Sequence, residues 1–227
     1  MDRILVGGDI PVTLRRSARA RRMTLRVTRA GGEVVLTLPS RASLAAGRAF
    51  AESRAEWLRN TRAGMPPLQL AEPGALLPVE GRLRRIVPAA TRRIELAGDA
   101  ILVPEHRPAG VVVEAFLKHL AQARLAPACD RHAAALGRGF RALVLRDTRS
   151  RWGSCTHDGR LMFSWRLAMA PPEVLDYVAA HEVAHLAHMD HSPAFWAATA
   201  RLRPDYARQR AWLRAHGHEL QAWRFRG

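Results

Sequence analysis

Residues 181–191 read HEVAHLAHMDH, and no other run limits so strongly what the chain around it can fold into. If the run is helical, His181 and His185 lie one turn apart on one face, where both imidazoles can reach a single metal ion. Glu182 then stands beside that ion. A carboxylate there can take a proton from a water whose pKa the ion has lowered to about 7, the arrangement of a zinc hydrolase. The preceding residues 170–180, APPEVLDYVAA, supply prolines at the entry, Glu173 in the first turn and apolar positions leading to His181. A helix is therefore predicted to begin near Pro172.

A structural zinc site takes four protein ligands, whereas a catalytic one takes three and keeps a position open for water. His188 and His191 compete for the third place. On a continuous helix His188 sits seven residues beyond His181, roughly 10 Å along the axis at about 1.5 Å per residue, too far for one tetrahedral ion. If the helix ends near His188, the chain can turn and bring His191 back. Ser192 and Pro193 support the reversal as N-cap and first residue of a new helix. The expected ligands are thus His181, His185 and His191, with Glu182 as general base. His188 fits the turn itself, because histidine tolerates positive φ better than most residues, or an exposed position.

Four segments follow one another towards the C-terminus: residues 150–156 (SRWGSCT), 159–167 (GRLMFSWRL), 178–186 (VAAHEVAHL) and 191–196 (HSPAFW). In these the chain resembles the YgjP-like metallopeptidase family; the motifs cover most of residues 147–216, and the Arg-rich N-terminal region is similar too. The resemblance implies a zincin-like catalytic domain with zinc on His181, His185 and His191, and Glu182 as general base. It also implies kinship with the SprT-like and WLM metalloproteases, which act near DNA. The histidine spacing is also that of metzincins. Their glycine is replaced here by His188, and no methionine follows Met189 to form their Met-turn, so a metzincin proper is not expected.

With 227 residues, 48% hydrophobic and 25% charged, the chain can bury a sizeable core as one large or two small domains. Cys129 and Cys155 have no CxxC partner, which argues against a disulfide scaffold and fits a reducing compartment. The N-terminus lacks a basic run followed by an apolar core, and no segment reaches the ~18 to 20 apolar residues of a membrane span. A cytoplasmic protein is expected. Thirty-six basic residues against twenty acidic ones give a formal charge of +16, and Lys118 is the sole lysine. Residues 1–65 carry thirteen arginines against five acids. Such a field attracts polyanions, so an Arg-rich surface for nucleic acid is expected, against the plainer reading of a solvated basic face.

The fold class expected is α+β. A β-rich N-terminal domain over residues 1–105 would hold strands near 12–15, 23–29 and 33–39, a turn at Gly31-Gly32, and one amphipathic helix over 43–61 burying Leu44, Phe50, Trp57 and Leu58. Short strands follow over 76–87, 92–96 and 100–103. A zincin-like metal-hydrolase domain over 106–227 would open with a long helix, broken or kinked near Pro127, and carry a small sheet from strands at 141–146 and 161–167. No internal repeat is evident. The strand over 160–167 is a candidate sheet edge on which an extended peptide could add itself, or else a buried central strand. Arg151 can neutralise an oxyanion or bind phosphate. Cys155 reads as a small packed thiol, Tyr177 and Tyr206 as packing or oxyanion donors, and Phe195, Trp196, Trp212 and Leu213 as core.

Three functions remain open on these residues. The first is a zinc-dependent endopeptidase acting on unstructured polypeptide, including polypeptide held near nucleic acid. The second is a metal-dependent nucleotide or phosphoanhydride hydrolase, although magnesium-phosphate chemistry prefers clustered carboxylates. The third is a nucleic-acid-binding module whose structural metal would need a fourth ligand such as His188 or Cys155.

Overall fold

The computed structural model describes residues 3–28, 32–148 and 150–226, so the turn expected at Gly31-Gly32 lies partly outside the described residues. The architecture is α+β, and the chain divides into two compact units, Met1–Leu68 and Gln69–Gly227.

In the first unit, strands β1 (Arg3–Val6), β2 (Ile10–Ser17), β3 (Thr24–Val27) and β4 (Val34–Pro39) form one sheet in the order β1-β2-β4-β3. The β2/β4 pair is parallel and the outer pairs are antiparallel. Alternation along β2 and β4 sends Val12, Val34, Leu36 and Leu38 to one face, where with Val6 and Ile10 they meet Ala51 and Leu58 of two helices. These helices, α1 (Leu44–Glu52) and α2 (Ala55–Ala63), replace the single expected helix. The division has a local cause: the Ser53 hydroxyl donates to the Phe50 carbonyl (2.8 Å), and Arg54 leaves helical geometry at φ −116°. The 3.6-residue period does not carry across that break. Leu58 is buried as expected, but Leu44 and Trp57 stay exposed. Gly47 lets α1 approach the sheet, since a Cβ there would lie 2.7 Å from Leu38 Cδ2.

The second unit begins with β5 (Gln69–Leu70) and a sheet of β6 (Leu76–Val79), β7 (Arg82–Ala89), β8 (Glu95–Ala97) and β9 (Ala100–Pro104), ordered β6-β7-β9-β8. Its β7/β9 pair is parallel and its outer pairs antiparallel. This is the topology of the first sheet, and helix follows in both cases, so a repeat exists in structure that the sequence does not display. Helix α3 (Ala109–Leu136) runs unbroken through Pro127 and ends on Gly137 at φ 69°. Of the break or kink expected there, the break is absent: Leu125, Ala128 and Cys129 around the proline are held in the core.

Strands β10 (Ala142–Arg146), β11 (Gly153–Cys155) and β12 (Arg160–Ser164) make a small sheet ordered β10-β12-β11. The strand expected as a possible edge is therefore central: β12 pairs with β10 on one side and with β11 on the other. It also stops at Ser164, where Trp165–Met169 turn into a 3-10 helix. The edges of this sheet are β10 and β11. Helices α4 (Pro172–Ala184), α5 (Pro193–Leu202) and α6 (Tyr206–Gln221) follow, and β13 (Trp223–Arg224) pairs with β5.

The division expected after residue 105 falls inside the second unit. Leu77, Val79, Ile86, Ile101 and Val103 of the sheet share one core with Val113, Leu117 and Ala121 of α3 and with Phe163 of β12. Composition changes at residue 106, but the hydrophobic contacts continue across it. No helix among the described residues is long and apolar enough to cross a membrane.

Phe163 is fully buried and Leu83 is 60% exposed. Phe163→Ala is expected to destabilise the second unit by about 3–5 kcal/mol, and Leu83→Ala by no more than about 0.5 kcal/mol, in urea unfolding followed by circular dichroism.

Candidate metal centre

Helix α4 starts as expected, with Pro172 in its first turn next to Glu173. It is apolar nearly all round, burying Val174, Leu175, Tyr177, Val178, Ala179, Ala180, Val183 and Ala184, as befits a helix packed against α3, α5, α6 and β11. It ends at Ala184, one turn before the expected stop near His188. The His188 amide donates to the Ala184 carbonyl (3.1 Å), and His188 keeps a negative φ. The chain reverses through this turn. Ser192 then accepts from the Phe195 amide (3.5 Å), capping α5 as the sequence suggests.

The reversal brings His191 to His181 and His185. One ring nitrogen from each lies within 4.8 Å of the others, a grouping able to hold a metal ion. The His181 and His191 Nε2 atoms face each other at 3.2 Å. The His185 Nδ1–H donates to the His188 carbonyl (2.9 Å), which leaves Nε2 of that ring with a free lone pair. His188 thus contributes its backbone, and both it and Cys155 stand outside the ligand grouping. The His181 Nδ1 is buried without a hydrogen-bond partner among the described residues. Packing takes over its orientation: the buried Phe195 ring lies 4.9, 4.4 and 4.7 Å from the rings of His181, His185 and His191.

Burial, with His185, His191 and Arg210 adding to it, pushes the His181 imidazole down to about 3; burial likewise lowers His185. Both rings are neutral near pH 7, the state in which imidazole binds a metal. Glu182 is 5% exposed, and burial pushes its carboxyl up to about 8 against the opposing charge of Arg151. Its close neighbour is Gly153 of β11, where a Cβ would lie 2.5 Å from Glu182 Oε1. Cys155, two residues on, is half-buried, its thiol pushed up to about 11 by burial and then by the Glu182 charge, which suits an inert packed thiol.

An aromatic wall continues outward. Tyr177 meets His181 edge-on (5.9 Å) and stacks on Tyr206 (6.5 Å), which stacks on Trp196 (5.4 Å), and the Arg210 guanidinium lies 4.5 Å over the Trp196 ring. The packing role expected for Tyr177 and Phe195 fits this; Trp196, Trp212 and Leu213 are half-buried. Behind the site, Asp176 of α4 accepts from Arg131 (2.9 Å), His132 (3.1 Å) and Arg203 (2.9 Å). Burial raises its pKa, but the His132 bond and the charges of His132, Arg203 and Arg131 outweigh that and hold it below the usual carboxylate range. Neither this clasp nor Gly153 was singled out from the sequence. Gly153 could have been, as a glycine in an extended run beside a catalytic motif.

Residues 21–216 match the family described as YgjP-like, metallopeptidase domain. The chain belongs to the YgjP-like metallopeptidase family. Membership makes it a metal-dependent peptidase. The crystal structure of the metallopeptidase zymogen of Pyrococcus abyssi abylysin is similar at 18% identity and a TM-score of 0.36, over 40% of this chain and 92% of that one. No curated protein matches the chain.

In this YgjP-like chain the raised carboxyl of Glu182 has a consequence for stability. With a folded-state value of about 8, the Glu182 carboxyl of the metal-free protein keeps a proton that the unfolded chain has lost, up to about pH 8, whereas His181 and His185, lowered on folding, act in the opposite sense below the ordinary imidazole value of 6.5. Above about pH 7, where both histidines are largely neutral folded and unfolded alike, the melting temperature of the metal-free protein is thus expected to fall as pH rises to about 8, with a flatter profile for Glu182→Gln. Gly153→Ala is expected to displace the carboxylate and lower kcat/KM by about 10²-fold in steady-state kinetics.

Proposed function

We propose that the protein is a zinc-dependent endopeptidase for unstructured polypeptide, with His181, His185 and His191 as metal ligands and Glu182 as general base. The observation that carries this reading is the convergence of three imidazole nitrogens, together with the buried carboxyl of Glu182, the residue that follows the first of them on the same helix. A divalent cation there would supply Lewis acidity towards the scissile carbonyl and the attacking water. Three neutral imidazoles suit zinc, and cobalt, manganese or nickel can use the same ligands.

The protein's own groups have separate tasks in this reading. Glu182 takes the proton of the attacking water and returns it to the leaving amine, a task suited to a carboxyl tuned close to neutral pH. Phe195 and Trp196 keep water from the back of the imidazoles. Edge strand β11 has a sheet partner on one side, so its other side can receive an extended backbone of little sequence specificity. Openness supports a polymeric substrate: His191 is exposed, and the cavity of about 400 Å³ lined by Arg124, Leu167, Glu173 and Asp176 includes none of the four site residues.

Substrate held near nucleic acid completes the proposal. In the first unit Arg59 pairs with Asp9, and no other arginine there has an acidic partner among the described residues. Unpaired arginines at this density favour phosphate backbones, with affinity that falls steeply with salt.

Zinc-loaded protein is expected to cleave casein, faster with single-stranded DNA present, and Glu182→Ala to abolish cleavage. Elemental analysis is expected to find about one zinc in wild type and Glu182→Gln, and far less in His181→Ala or His191→Ala. Phosphate release from a nucleoside triphosphate, without casein cleavage, would replace the peptidase reading with phosphoanhydride hydrolysis. Loss of DNA binding caused by Glu182→Ala alone would count against a separate basic surface.

A further inference from the structure

We infer that Arg151 donates to the oxyanion that forms when water adds to the scissile carbonyl. The assignment rests on the peptidase reading above and names the residue that stabilises its developing charge.

The backbone around Arg151 is fixed from several directions. The Thr148 hydroxyl donates to the Arg151 carbonyl (2.8 Å), and the Gln221 side-chain amide donates to the Thr148 carbonyl (3.2 Å). The Trp152 carbonyl accepts from the Ser164 amide (2.8 Å), which extends the β11/β12 ladder one step towards Arg151. The Trp152 indole fills a notch on α6 at Gly217, where a Cβ would lie 3.0 Å from the ring. A large side chain wedged into a helix on one side and a sheet bond on the other leave residue 151 little freedom of placement.

Proximity follows from the strand. The Cβ direction at Gly153 points at Glu182 Oε1; Cys155 lies two residues on along the strand, and Arg151 two residues before it, across a bend at Trp152. Both residues are thus held within two positions of the glycine that abuts Glu182, and the electrostatics agree: Glu182 feels the charge of Arg151, and Cys155 feels that of Glu182. The Arg151 side chain is exposed and forms no ion pair among the described residues, with Glu182 or with another acid. A guanidinium near the general base but not closed upon it leaves space between them for a substrate group. Arg210, the other cation at the site, already lies over the Trp196 ring.

The chemistry asks for such a donor. As the water oxygen bonds to the carbonyl carbon, the C=O π pair moves onto the carbonyl oxygen, and Glu182 accepts the water's proton. When the C–N bond breaks, that pair re-forms the carbonyl and the amine leaves with the proton from Glu182. The oxygen bears full negative charge only between these events, so a charge-assisted bond from a prepositioned guanidinium acts on the barrier more than on substrate binding.

The test compares zinc-loaded wild type, Arg151→Gln, Arg151→Lys and Arg92→Gln. Arg151→Gln is expected to lower kcat on an unstructured peptide by about 10²- to 10³-fold, with KM within about threefold and zinc content and melting temperature unchanged. Arg151→Lys should recover part of the rate, and Arg92→Gln, at an exposed arginine outside the site, should stay within about threefold of wild type. A phosphinic peptide, tetrahedral and anionic, gives a readout without turnover: by calorimetry Arg151→Gln should weaken its binding by about 10²-fold and leave the matching amide peptide unaffected. Equal affinity of wild type and Arg151→Gln for the phosphinic peptide, or a kcat within about threefold of wild type, would overturn the assignment. If wild type binds zinc and the phosphinic peptide yet cleaves no polypeptide, the peptidase reading falls while the binding comparison alone decides the role of Arg151.

Discussion

Glu182 is almost out of reach of water, and the strand behind it comes so near that one added carbon would sit 2.5 Å from its carboxylate. That closeness sets conditions on everything nearby. Residue 153 must have no side chain, and β11 must stay pressed on α4. The pressure comes from β12, which holds β11 on one side while its own Leu161 and Phe163 are locked in the main core. Glu182 is therefore placed by the hydrophobic core through a single intervening strand. Its raised pKa has the same origin, because a carboxyl moved out of water favours its neutral form.

Charges fasten the surrounding elements where hydrophobic contact alone would let them slide. Asp176 gathers Arg131 and His132 from α3 and Arg203 from beyond α5, so the helix carrying His181 and His185 is tied to its neighbours by one carboxylate. Arg166 does the same for the end of the chain. Its guanidinium is nearly buried, pairs with Asp147 (2.6 Å), donates to the Leu220 and Trp223 carbonyls (3.0 and 3.1 Å) and lies 4.7 Å over Trp165. Buried charge is tolerated when its hydrogen bonds are met, and removing one partner from such a group costs more than the group contributed.

The site was legible where its signals are local. Histidines four apart, Pro172 at a helix start and Ser192-Pro193 at another are decided within a few residues, and the turn that delivers His191 is set by them. The features that escaped the sequence depend on contacts made far along the chain. Whether β12 is edge or centre depends on β10, joined to it by a parallel pairing that no local pattern announces. Strands at 76–104 and helix α3 differ in composition yet share a core, a continuity that composition does not announce. Leu44 and Trp57 look buried on a helical wheel, and one serine hydroxyl at residue 53 undoes the wheel.

The two four-stranded sheets share an order and a set of strand directions, yet the helical segments after them differ. In one, that segment is cut in two by Ser53 and Arg54; in the other it continues for 28 residues. A pair of nine-residue helices can cover a sheet and little more. A 28-residue helix is about 40 Å long, extends well past the strands that precede it, and offers its far half as a floor for whatever the chain builds next. The small sheet and α4 stand on that extension. One supersecondary plan, used twice, yields a closed module where the helix breaks and a foundation where it does not, so continuity through Pro127 decides which copy could acquire a reaction centre.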